Sequence, residues 1–163
     1  MRDLRGGRRS ARLALTSTLP SRNQGCDHAA SGSPNKLLGY VFGVVYLLVG
    51  AAGFAVTGGV GFAATEGEPL IVFDVNPLHN IIHLLVGAVL VLAATRGARA
   101  AKGMNTLVGA VYLVLGIIGL FILDSSLNVL ALNAADNVLH LGSALLLLGV
   151  GLSQDKGRTT AAA

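Results

Sequence analysis

Four long apolar stretches dominate the chain, and polar or charged residues separate them. No charged residue occurs from Leu37 to Thr65, and further apolar runs begin after Asn76-Pro77, Asn105 and Asn133. A bilayer core of about 30 Å needs roughly 20 helical residues, so each run is long enough or nearly long enough to span it. The pattern predicts an all-α membrane protein with transmembrane helices at about 37–57, 76–94, 106–123 and 134–152.

The remaining segments are predicted to be tails and short connections. Residues 1–35 hold six arginines and no periodic apolar face, a composition typical of a disordered tail. A gene start placed too far upstream would also explain this segment, and the sequence leaves that alternative open. Residues 36–152 form the predicted transmembrane domain, and 153–163 form a second tail. Between helices two and three, segment 95–105 is predicted to be a short connection that carries Arg96, Arg99 and Lys102.

The basic residues predict how the chain lies in the membrane. All twelve Lys and Arg residues precede the first helix, lie between helices two and three, or follow helix four. The loops at 65–76 and 124–137 contain none. Because basic residues near the spans are retained in the cytoplasm, both termini are expected there, with the helices in the cell membrane. The net charge of +4 is therefore assigned to topology and to contacts with anionic lipid, and nucleic acid is not an expected partner.

The two halves of the chain read as copies of one unit. The pattern of Gly43 to Gly53 recurs 66 residues later from Gly109, and the pattern of Asn76 to Leu84 recurs 57 residues later from Asn133. Two spans in each copy return the chain to its starting side, so both copies have the same orientation and a pseudo-two-fold axis along the membrane normal is expected. The predicted fold is thus four transmembrane helices built from two parallel two-helix repeats.

The motifs in helices two and four also carry a resemblance. Asn-Pro-Leu-His-Asn-x-x-His-Leu at 76–84 and Ala-Asp-Asn-x-Leu-His-Leu at 135–141 resemble an actinobacterial family of four-helix integral membrane proteins. That family is defined only as a domain of unknown function, and the resemblance covers roughly residues 36–152. It implies a fold and a membrane location, and no activity.

Helices one and three each present small residues and one tyrosine on a single face. Within each set, successive residues are three, four and three positions apart. The two sets are Gly43, Tyr46, Gly50 and Gly53, and Gly109, Tyr112, Gly116 and Gly119. Glycines at such spacings let membrane helices approach backbone to backbone. Packing within one chain is the favoured interpretation, and a homo-oligomer interface stays open as the alternative.

Polar residues recur at fixed spacing in helices two and four. His83 lies six residues past Pro77, or roughly 9 Å below the start of helix two at 1.5 Å per residue. The favoured interpretation is structural, with hydrogen bonds that clip helices two and four together. The residues of this polar interhelical cluster are Asn80, His83, Asn137 and His140, and Asp136 would serve the amino terminus of its own helix.

A second interpretation of the same residues is a ligand site. A four-residue spacing places His79 over His83 and Asp136 over His140, and the expected axis would bring the two faces together. Three imidazoles and one carboxylate suit zinc, copper, iron or nickel. A haem bound axially by His83 and His140 is a narrower version, and a proton relay or a small transporter is a further alternative. The interpretation without a cofactor is favoured.

Motifs for enzymatic chemistry are missing from the sequence. It contains no nucleophile elbow, no phosphate-binding loop and no pair of carboxylates within an apolar run. Hydrolases and nucleotide-dependent proteins require such parts. The chain is therefore expected to be a non-enzymatic, multi-pass membrane protein with a structural or interaction role.

Overall fold

The computed structural model describes residues 32–156, in which four long helices form a bundle. Their bounds are Pro34–Gly53 (α1), Pro77–Thr95 (α2), Ala98–Ile122 (α3) and Ala134–Ser153 (α4). Each of these four is long and apolar enough to cross a membrane. The predicted class, an all-α membrane protein with four spanning helices, is confirmed. The predicted tails lie mostly outside the described residues.

Asparagine caps begin α2 and α4, directly before the apolar runs that predict these helices. The side chain of Asn76 accepts a hydrogen bond of 2.8 Å from the backbone N–H of His79, and Pro77 follows at the first helical position. Asn133 and Asp136 form a capping box, in which each side chain accepts a hydrogen bond from the other residue's backbone N–H. These caps satisfy backbone donors that the first helical turn leaves without partners.

The end of α1 differs from its predicted position. The helix ends at Gly53, four residues before the predicted boundary at 57, and a 3-10 turn follows at Thr57–Gly59. The Thr57 hydroxyl donates a hydrogen bond of 3.1 Å to the Gly53 carbonyl. This bond satisfies a carbonyl that the last turn of the helix leaves open, so the chain departs from the helix earlier than the apolar run suggests.

The start of α3 also differs from its predicted position, because the helix is longer than predicted. The helix begins at Ala98, eight residues before the predicted start, so that Arg96 and Gly97 alone connect α2 to α3. Gly97 has a φ of 115°, a conformation that glycine adopts without steric cost. Alanine, arginine and lysine are strong helix formers, so the helix continues beyond the apolar span and carries Arg99 and Lys102.

A short hairpin that the sequence did not predict covers the start of α2. Strands β1 (Glu68–Leu70) and β2 (Phe73–Val75) pair antiparallel, with Pro69 opposite Asp74. Ile71 at the turn has a φ of 66° and is almost fully exposed. We call the end of the bundle formed by segments 54–76 and 123–133 the loop end. The amide of Asn76 joins both segments there, since it donates hydrogen bonds of 2.8 Å to the carbonyls of Ala64 and Val129.

Glycines set the close packing of α1 on α2 and of α3 on α4. A Cβ added at Gly87 would lie 2.7 Å from the Gly43 carbonyl oxygen, and one added at Gly109 would lie 2.8 Å from the Leu148 nitrogen. The predicted packing residues of α1 and α3 thus face α2 and α4, respectively. Gly53 and Gly119 leave room for the side chains of Asn80 and Asn137. The two helix pairs therefore use equivalent contacts, and the two-fold axis itself stays a prediction.

A hydrogen-bonded network closes the opposite end of the bundle. The Asn35 amide donates a hydrogen bond of 2.9 Å to the Asp155 carboxylate, and the Asn105 amide donates one of 3.0 Å to the Asn35 side-chain oxygen. Ser33 also donates to Asp155, at 2.7 Å. These bonds tie the start of α1 to α3 and to the segment after α4, and sequence analysis did not find them.

Candidate metal centre

Three buried histidines converge between α2 and α4 in the half of the bundle near the loop end. The cap at Asn76 fixes where α2 begins, and this places His79 and His83 one turn apart on one helical face. His140 comes from α4, in its second turn after the capping box. The exposed fractions of the three side chains are 1%, 3% and 2%.

The imidazole rings lie close enough to share one ligand. One nitrogen from each of His79, His83 and His140 lies within 4.8 Å of the other two. The ring centroids of His79 and His83 are 4.5 Å apart, and those of His79 and His140 are 6.2 Å apart. The sequence prediction that these three residues come together is therefore matched by their positions.

Two tyrosines enclose the histidines from α1 and α3. Tyr46 stacks on His83 with ring centroids 5.4 Å apart, and Tyr112 packs edge-on against His140 at 5.0 Å. The two tyrosine rings are 5.5 Å from each other. Sequence analysis assigned both to helix packing, although their equivalent positions in the predicted repeat were a signal that they meet at the centre.

Several buried polar atoms of this group make no hydrogen bond. Within residues 32–156, neither ring nitrogen of His79 or His83 has a partner, and the same holds for Nδ1 of His140. The Tyr46 hydroxyl lies close to Ser143 and Tyr112, without a hydrogen bond of good geometry. The His79 ring lies against the backbone of Asp74 and Leu130 without a hydrogen bond of good geometry. Burying polar groups without hydrogen bonds destabilises a fold by about 1–3 kcal/mol for each group, so this group of side chains lowers the stability of the bundle.

The predicted polar cluster does not clip α2 to α4. The Asn80 amide donates a hydrogen bond of 3.1 Å to the Thr57 hydroxyl, and the Asn137 side chain has no hydrogen-bond partner in the described part of the chain. Both asparagines face the glycine-lined helix of their own pair. These asparagines do not form hydrogen bonds between α2 and α4, because the close glycine contacts that they meet lie between α1 and α2 and between α3 and α4.

Asp136 does not join the three histidines, although the sequence suggested it as a fourth ligand. Its carboxylate accepts a hydrogen bond of 3.0 Å from the backbone N–H of Asn133 as part of the capping box. The carboxylate is also close enough to Asp74 for the two charges to interact. Local capping of α4 thus orients Asp136, and the candidate ligand set is His79, His83 and His140.

The fold and this centre define the class of protein. The chain is a multi-pass membrane protein of four helices with a buried histidine group at the meeting point of its two helix pairs. It belongs to the family described as a domain of unknown function (DUF4383), which matches residues 36–153. The family resemblance in the sequence is thereby confirmed. Comparisons with curated proteins and with solved structures give no significant match.

Proposed function

We propose that the protein binds one transition-metal ion through His79, His83 and His140. The observation that carries this proposal is the convergence of three buried imidazoles, of which one nitrogen each lies within 4.8 Å of the other two. Five of their six ring nitrogens make no hydrogen bond with the described residues. Imidazole is the commonest metal ligand among side chains, and it binds in its neutral form.

The unpaired nitrogens favour this function over a purely structural role. Polar side chains that hold membrane helices together do so through hydrogen bonds between helices, and the His79 and His83 rings make none with the described residues. Apolar side chains of similar size would fill the same space without the desolvation cost of buried imidazoles. A bound ion would use one nitrogen of each ring, which is at most three of the five atoms that the fold leaves without partners.

The ligand set selects the class of ion. Three nitrogen ligands suit the borderline ions, zinc, copper, nickel and ferrous iron, rather than magnesium or calcium, which prefer oxygen. Nitrogens bound to tetrahedral zinc at 2.0–2.1 Å lie about 3.4 Å from one another. The ligand nitrogens, which lie within 4.8 Å of one another, therefore need to approach by at most about 1.4 Å, which rotations of side chains can supply.

A haem is the less suitable ligand for the same residues. Axial ligation by His83 and His140 would require a slot for a broad planar macrocycle between the two rings. Tyr46 stacks on the face of His83 and Tyr112 packs on His140, so aromatic side chains occupy the surrounding space. We propose a single ion for this reason, and we keep the expectation that the protein is not an enzyme.

We further propose that the loop end faces the outside of the cell membrane and that both termini are cytoplasmic. The Lys and Arg residues of the described part of the chain support this orientation, since all lie at the opposite end of the bundle. They are Lys36, Arg96, Arg99, Lys102 and Lys156. Basic residues beside the spans favour the cytoplasmic side.

Metal analysis of the purified protein tests the proposal. The full chain is stripped with a chelator in detergent, reloaded with Zn²⁺ or Co²⁺, and measured by elemental analysis and by the visible absorption of bound Co²⁺. We expect one ion per chain, and we expect His83→Gln and His140→Gln to lose it. His28→Gln, the same substitution at the one histidine outside the group, should retain it.

Gel filtration and circular dichroism show whether each variant keeps its fold, so that loss of metal is not mistaken for loss of structure. Two results would overturn the proposal. One is a wild-type chain that retains no ion above the level of a buffer control. The other is a folded His83→Gln variant that binds as much metal as the wild type.

A further inference from the structure

An acidic cavity lies at the loop end of the bundle. It has a volume of about 380 Å³, and its charged lining residues are Glu66, Asp74 and Asp124. A second cavity of about 440 Å³ shares Glu66 and Asp124 with the first. The two cavities therefore form one region, which we call the acidic mouth. Asn128 and Asn133 add amide groups to its lining.

The acidic mouth adjoins the histidine centre through one short segment. Asp74 lines the cavity, and the ring of His79 lies against the backbone of the same residue. His79 is almost fully buried and neither of its ring nitrogens has a hydrogen-bond partner among the described residues. A buried histidine of the candidate centre thus lies against the backbone of a residue that lines the acidic cavity.

Charge in the described part of the chain favours the approach of a cation from this end only. Four of its six acids lie at the loop end, and they are Glu66, Glu68, Asp74 and Asp124; a fifth, Asp136, lies next to the loop end in the first turn of α4. The basic residues of the same part lie at the other end. A cation is therefore attracted towards the acidic mouth and repelled from the opposite end.

A route through the side of the bundle does not suit an ion. An apolar cavity of about 240 Å³ between α1 and α4 reaches His83, and Val41 and Val45 line its outer part. Both valines are about half exposed, and in a spanning helix such positions face hydrocarbon. A hydrated cation does not cross that medium at an acceptable cost, so this cavity does not provide an aqueous path to the centre.

We propose that the acidic mouth is the access site through which a hydrated divalent transition-metal ion reaches the three histidines. This inference rests on the proposed metal binding. Carboxylates attract the hydrated ion, and neutral imidazoles then replace part of its water shell. A cleft lined by charge of one sign raises the rate of association by concentrating the ion near the site.

The test measures the rate at which Co²⁺ binds to the purified full chain. Stopped-flow absorption follows the band of bound Co²⁺ in wild type, in the double variant Glu66→Gln/Asp124→Asn, and in Glu68→Gln. We expect the double variant to bind about tenfold more slowly at low salt, and we expect most of this difference to disappear at about 1 M salt, where charges are screened within about 3 Å. Glu68→Gln is the control for loss of a charge outside the cavities, because Glu68 lies in the same loop and does not line either cavity. It should slow binding less than the double variant does.

The outcomes separate the two proposals. At saturating Co²⁺, the double variant should still hold one ion per chain, because the histidines are unchanged. Equal association rates in the double variant and in wild type, with normal stoichiometry, overturn the access site alone. A double-variant defect that persists at high salt also overturns it, since the loss would then not be electrostatic. A wild-type chain that binds no Co²⁺ overturns the metal centre, and the access site with it.

Discussion

Replacing Gly87 with alanine tests the close contact between α1 and α2. A Cβ at this position would lie 2.7 Å from the carbonyl oxygen of Gly43 and 2.8 Å from the backbone nitrogen of Leu47. Ordinary van der Waals contact begins at 3.4 Å, so α2 must move away from α1 by about 0.7 Å. Because the atoms in the way belong to backbone, no change of side-chain rotamer relieves the clash.

The expected magnitude follows from two opposing effects. Overpacking of this kind destabilises proteins by about 1–3 kcal/mol, whereas replacing glycine with alanine inside a helix stabilises by about 0.5–1 kcal/mol. We therefore expect Gly87→Ala to lower the free energy of unfolding by about 1–2 kcal/mol. Unfolding is measured in mixed micelles by titration with a denaturing detergent and followed by circular dichroism.

Gly142 provides a control for which the expected change in the free energy of unfolding has the opposite sign. It lies inside α4, and a Cβ added there would meet no atom within 4 Å. Gly142→Ala should consequently raise the free energy of unfolding by about 0.5–1 kcal/mol. A Gly87→Ala variant that is as stable as wild type, or more stable, would refute the reasoning from backbone contact.

Two further predictions concern the hairpin and the membrane orientation. Ile71 adopts a left-handed conformation while almost fully exposed, so Ile71→Asn should stabilise the fold by about 1 kcal/mol; Val72→Asn, at a neighbouring exposed residue, should bring no such gain in the same denaturation assay. A reporter enzyme active only in the cytoplasm should be active when fused to the carboxyl terminus and inactive when inserted at Glu68. The opposite pattern of activity would reverse the proposed orientation.

Much of the fold follows from short-range features of the sequence. The uninterrupted apolar runs predict four spans, and the residues Asn76-Pro77 and Asn133 predict where α2 and α4 begin. The start of α3 could not be read in this way, because a helix that leaves the membrane continues with charged residues that also suit a loop. The hairpin escaped prediction because strands of three residues are too short to show a periodic pattern.

The candidate site was predicted in part. A four-residue spacing puts His79 and His83 on one helical face, and the repeat predicts His140 as their neighbour. The tyrosines were not assigned to the site, since a tyrosine on a glycine-rich helix face is equally typical of helix packing. The case of Asp136 is different. The Asn133-x-x-Asp136 spacing is itself a capping signal, and this local interaction outweighs the longer-range convergence that the repeat suggested.

Under the predicted repeat, Asp136 shows what a single polypeptide permits that two identical chains do not. Asp136 occupies the position that corresponds to His79 in the predicted repeat. Asp136 caps its own helix, whereas His79 lies beside His83 and His140. A homodimer of half-length chains would carry the same side chain at both positions, so any change that suits one half would be imposed on the other. Joining the halves in one polypeptide removes that restriction. One copy is then free to keep a histidine for the centre while the other uses a carboxylate to begin its helix.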